Sequence, residues 1–221
     1  MMEKITWRKD EKNIYPLKKT PTITTLPPQN FITITGQGNP NGPEFAAKIQ
    51  ALYPVSYAIR MAPKKGIDFP GAFDYTVYPL EGFWTLPVGH REGPLDKDFL
   101  QYKIMIKQPS FVTSEIFEQA LELAHEKVDP QLLTQLKFET IDEGSVAMIL
   151  HTGAFDDEPV SFAKLADFIE ASGYQRTSMD HKEIYISDFR KVAEDKRKTI
   201  LRVGIEKKNN FKKATSLAIY Q

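Results

Sequence analysis

The run His181-Lys182-Glu183-Ile184-Tyr185-Ile186 gathers several proton-handling groups in six residues. Successive side chains of a strand point to opposite faces, so as a strand this run puts His181, Glu183 and Tyr185 on one face and Ile184 and Ile186 on the other. A carboxylate kept among aromatic rings is desolvated, which makes it a competent proton acceptor near neutral pH. Glu183 is therefore a candidate general base, with Tyr185 beside it as a second catalytic candidate. The plainer alternative for Glu183 is a surface ion pair with Lys182 or Arg202.

Aromatic residues elsewhere offer surfaces for a ligand. Trp84, in Gly82-Phe83-Trp84, presents a flat indole suited to offset stacking with a polyaromatic molecule, with core packing as the ordinary alternative. Phe83 and Tyr75 are secondary candidates for the same contact. Tyr57 follows Pro54, which is expected to break or kink its helix and so aim the hydroxyl inward, making Tyr57 a third catalytic candidate. His151 and His181 titrate near neutrality and are candidate contacts, although hydrogen-bonded structural roles are simpler for both. The four histidines, at 90, 125, 151 and 181, have no ligand spacing and there is no cysteine, so no metal, thiolate nucleophile or disulfide is expected. Gly36-Gln37-Gly38 falls short of a dinucleotide fingerprint, and no cofactor is expected. Asp156-Asp157-Glu158 precedes a helical pattern and reads as charge that complements a helix N-terminus.

These groups need elements to hold them. Strand-like runs cover 31–36, 73–78, 82–86, 100–107, 136–141, 145–152, 183–187 and 199–206. Apolar residues at helical spacing mark 43–61, interrupted at Pro54, then 114–127 and 159–171, where Phe162, Leu165, Ala166 and Ile169 form a stripe that Ile184 and Ile186 can pack beneath. The order strand, helix, strand, strand occurs twice, in about 31–110 and 136–206, with 145–153 in the place of 31–38 and 183–187 in that of 75–80. Residues 1–30 are basic and proline-dotted and read as an extended surface segment. Residues 207–221 read as a polar tail. The fold class is α+β.

The 221 residues are 41% hydrophobic and 26% charged, in the range of globular proteins. With 29 basic and 29 acidic residues there is no net field to attract nucleic acid or an anionic membrane, and the N-terminus lacks the apolar run of a signal or spanning segment. A cytoplasmic protein is the expectation.

Four runs, Asn39-Pro40-Asn41-Gly42, Pro79-Leu80-Glu81-Gly82-Phe83-Trp84, Asp156-Asp157-Glu158-Pro159 and His181 to Asp188, resemble the GyrI-like small-molecule-binding family in order and spacing. The resemblance runs from about residue 7 to 206. Phe189 stands where the family usually has proline, and Phe83 where leucine is common. The resemblance implies two strand-helix-strand-strand modules about a pseudo-twofold axis, antiparallel sheets, helices outside and a ligand groove at the junction. It also implies a small aromatic or cationic ligand. Some stand-alone members open the strained cyclopropane of DNA-alkylating compounds, others bind drugs without turnover, and the family name points to modulation of a DNA topology enzyme as a third role. No helix-turn-helix accompanies the motifs, so a complete transcription regulator is not expected.

Overall fold

The computed structural model describes residues 4–92 and 95–208, so the expected polar tail falls almost wholly outside the described residues. In chain order the elements are α1 (Trp7–Asp10), β1 (Thr22–Leu26), β2 (Gln29–Gln37), α2 (Pro43–Met61), β3 (Leu80–Thr85), β4 (Gln101–Lys107), α3 (Ser114–Ala124) and α4 (Pro130–Leu133). There follow β5 (Lys137–Ile141), β6 (Gly144–Thr152), α5 (Glu158–Ala171), β7 (Tyr174–Arg176), β8 (His181–Tyr185) and β9 (Lys198–Lys207).

The protein is α+β, built on an antiparallel sheet in the order β1-β6-β9-β8-β3-β4-β2-β5, with β7 against β9. Its two modules are β2-α2-β3-β4 and β6-α5-β8-β9. In each, the last strand lies between the other two, and the modules meet where β3 pairs with β8, on the pseudo-twofold axis. The first-module counterpart of β8 is therefore Leu80–Thr85, not the 75–80 run expected to match it. Residues 73–78 form no strand, because both neighbours of β3 are already taken by β4 and β8; Tyr75 makes only a bridge to Ile5.

The sheet curls back on itself. Only Pro27 and Pro28 separate β1 from β2, and only Asp142 and Glu143 separate β5 from β6. Leu26 faces Gly144 before the break and Gln29 faces Ile141 after it, so the two long bent strands keep one register across the kinks. Both faces are consequently buried. The outer face carries Ile32, Ile34, Ile104 and Ile106 beneath Phe45, Ile49, Leu52 and Ile59 of α2, and Ala147, Ile149, Leu201 and Val203 beneath Leu165 and Ile169 of α5. Burying each such aliphatic side chain stabilises by roughly 1.5–3 kcal/mol. Pro54 costs a helix interior about 3 kcal/mol, yet α2 runs through it unbroken because Leu52, Val55 and Ile59 on either side are fully packed.

The inner face is charged at its centre. Lys182 Nζ lies 2.6 Å from Glu81 and 2.8 Å from Glu143, and Arg202 lies 2.8 Å from Glu143. Lys182 and Arg202 are each 1% exposed. The N-terminal segment closes over this network: the Tyr15 hydroxyl donates to Glu81 at 3.0 Å, and Arg202 donates to the Ile14 carbonyl at 2.6 Å. Residues 1–30 are thus not a bare surface extension. Trp7, Ile14 and Tyr15 are core, and β1 completes the curl.

Candidate functional site

The junction pair places Trp84 opposite His181 and Gly82 opposite Glu183. Glu183 also faces Leu201, so its face is the one covered by α5, and Ile184, paired with Glu81 and Ile200, points into the curl. This reverses the expected arrangement. The isoleucines pack in the inner core, and Glu183 lies on the helix side of the sheet, where the module covered by α2 meets the module covered by α5.

At that junction the polar groups form a chain. The Trp84 indole N–H donates to the Tyr185 hydroxyl at 3.1 Å. Burial, and then the adjacent Glu183 carboxylate, pushes the Tyr185 phenol well above its ordinary range and keeps it a neutral donor. His181 Nε2 donates to Glu183 Oε1 at 3.1 Å, which fixes that ring tautomer because a carboxylate only accepts. Glycine at 82 leaves room for the indole: a Cβ there would come within 3.1 Å of Trp84 Nε1. Trp84 itself is buried between Phe45 and Tyr102, with ring centroids at 5.5 and 5.4 Å. It therefore orients Tyr185 rather than offering an open stacking surface.

Glu158, read from sequence as helix-end charge, is a buried member of this site. Its Oε1 has no hydrogen-bond partner among the described residues. Burial, then repulsion from Glu183 and Asp156, pushes its carboxyl up to about 10. The proton thus stays on Glu158 at neutral pH, beside the Glu183 carboxyl. The sign for stability follows. Between about 4.5 and about 10 the unfolded state has lost this proton while the folded state holds it, so stability falls as pH rises. Glu158→Gln mimics the protonated form, and denaturant unfolding should show it gaining on the parent by up to about 1.4 kcal/mol per pH unit above that lower bound. Parallel pH profiles for the two proteins would contradict the assignment.

An aromatic cage closes the far end. Tyr185 meets Phe189 at 5.2 Å and Phe155 at 6.0 Å, so the phenylalanine that replaces the family proline caps the phenol. Beside it lies a cavity of about 200 Å³ walled by Tyr53, Tyr57, Leu80, Tyr185 and Phe189, with Trp7 and Arg8 of α1 on the other side. Tyr53 and Tyr57, 6.4 Å apart, also border a second cavity of about 580 Å³. Tyr57 is half exposed at the shared rim, so its hydroxyl is not drawn inward by a helix break. Glu183 lines neither cavity, and its side chain keeps 13% exposure.

Three sequence candidates lie elsewhere. Phe83 points to the inner face, under the Lys182 ammonium at 4.8 Å, as alternation from Trp84 demands. Tyr75 is buried among Phe73, Tyr78 and Phe111 and borders neither cavity. His151 donates from Nε2 to the Ala154 carbonyl and meets Ser161 Oγ at Nδ1, both at 2.9 Å, which ties the start of α5 to β6. Missed from sequence were Glu158, Tyr53 and Phe189. The signals available were an acidic residue next to the helix-starting Pro159, and tyrosines four residues apart on α2. Among the described residues no cluster of histidine or acidic groups could hold a metal, and no helix is long and apolar enough to cross a membrane.

The family model of the GyrI-like small molecule binding domain matches residues 19–205. Two crystal structures of a hydrolase from Listeria innocua, each 33% identical, superpose with TM-scores of 0.82 and 0.84, covering 92% of this chain and all of theirs. A conserved protein from Listeria innocua, 34% identical over the same share of the chain, superposes with a TM-score of 0.82. No curated protein matches this chain.

Proposed function

The chain belongs to the family of GyrI-like small-molecule-binding domains, and from that premise we propose that it binds a small aromatic electrophile at the module junction and hydrolyses it. One observation carries the reading: a buried protonated carboxyl, Glu158, and the Glu183 carboxylate share one site with the neutral Tyr185 donor. The description of similar Listeria innocua proteins as hydrolases supports it.

The substrate class is an aromatic compound with a cyclopropane conjugated to a carbonyl. Water attacks the cyclopropane carbon and gives its proton to Glu183. The breaking C–C bond sends its electron pair to the carbonyl oxygen, which becomes a phenol by taking the proton of Glu158, directly or through the Tyr185 hydroxyl. The product is the substrate plus one water, and no cofactor is consumed. Strain relief and aromatisation supply much of the driving force, so positioning and acid–base help suffice. A purely sequestering role for cationic drugs is less well supported, since the smaller cavity is bordered by Arg8 and Arg190 with Asp188 as its one carboxylate.

The test is to incubate the protein with cyclopropane-bearing aromatics and follow product mass. Gain of one water at a rate proportional to enzyme is expected. Saturable binding with no mass change across the panel would refute the hydrolytic reading and leave a binding module.

A further inference from the structure

The cavity of about 580 Å³ is large enough for a drug-sized molecule. Its apolar wall is Pro54, Tyr57, Ala58, Met61 and Leu123, from α2 and α3. Its charged lining is one-sided: Lys65, Lys127, Arg190 and Lys191 against Asp188 alone. Asp188 is already engaged, chelating Arg190 at 2.9 and 3.1 Å and lying 3.5 Å from Lys191. Lys65 and Lys127 have no carboxylate within ion-pair distance among the described residues. The wall also carries an acceptor, because Pro54 has no N–H to give to the Gln50 carbonyl four residues back, and both residues line the cavity.

We propose that this cavity is a second ligand subsite, selective for an apolar or aromatic body that bears an anionic group such as a carboxylate, sulfonate or phosphate. The body lies against Tyr57, Ala58 and Leu123, and the anion meets the two uncompensated lysines at the rim. Such a subsite would receive anionic conjugates or hold an anionic arm of a molecule whose reactive end lies toward the module junction, past Tyr53 and Tyr57. The inference rests on the cavity and its charges alone; a chain that hydrolyses nothing would still show it.

The experiment titrates the full chain with two fluorescent probes of one shape, the anionic 1-anilinonaphthalene-8-sulfonate and the neutral N-phenyl-1-naphthylamine. Lys65→Gln with Lys127→Gln should weaken the sulfonate about three- to tenfold at low salt, as expected for two partly exposed charge contacts, and leave the neutral probe within twofold. Added salt should weaken the sulfonate in the parent more than in the double variant. Lys164→Gln with Lys196→Gln, a control for net charge, should change neither. If the cavity-lysine variant binds both probes as the parent does, loses both equally, or matches the control pair, the subsite is refuted. All four lysines are exposed, so folding is not at stake.

Discussion

Replacing Glu183 by glutamine is expected to lower turnover of a cyclopropane-bearing aromatic by about 10² to 10⁴, the usual worth of a positioned general base. Glutamine keeps the volume and can still accept from His181, so the hydrogen bond between Trp84 and Tyr185 beside it is left undisturbed. What it cannot do is take a proton from water. Binding of a neutral aromatic should therefore change little, and the loss should fall on kcat rather than KM. A second readout separates this from a general loss of structure. Because Glu183 is a source of the repulsion that holds Glu158 protonated, its neutralisation should shift the Glu158 titration downward, visible by NMR of the side-chain carboxyl. Unchanged turnover in Glu183→Gln would eliminate it as the base.

The largest stability effect is expected at Glu143, in the kink between β5 and β6. Its carboxylate lies between Lys182 and Arg202, at 2.8 Å from each. Glu143→Ala would leave two buried cations facing one another with Glu81 as the remaining counter-charge, and loss of one partner of a buried ionic cluster costs roughly 3–5 kcal/mol. Burial opposes ionisation of Glu143, but the two cations outweigh it and hold the carboxyl below its ordinary range. A depressed folded value means stabilisation that is complete above the unfolded value and lost as pH falls through the folded one. Denaturant unfolding should therefore show a wide gap between parent and variant near neutrality that closes in acid. A gap under about 1 kcal/mol at neutral pH would mean that Lys182 and Arg202 find other compensation.

The two predictions meet on β8, where Glu183 lies on one face and Lys182, the partner of Glu143, on the other, and that contrast marks how far the sequence reaches. Strand alternation is a local property of L-residues, so the grouping of His181, Glu183 and Tyr185, and their separation from Lys182 and Ile184, was legible from sequence. The repeated order of elements gave the modules, and seven strand positions and the three long helices follow from periodicity within a few residues. Which layer covers each face was not legible. In an open sheet with one solvated side, the polar face would be the wet one; here the curl and the helices bury both faces, so polarity no longer marks the outside. Hence Lys182 and Arg202 are core residues, and Ile184 points away from the helix stripe chosen for it. Pro54 announced a helix break that tertiary packing overrode, and the N-terminal segment looked idle because its partners Glu81 and Arg202 lie 66 and 188 residues from it. Glu158 shows the same limit. From sequence alone its charge belongs to a helix end; only the pairing of β3 with β8, and the placing of α5 above it, brings that carboxyl against Glu183 and keeps its proton on.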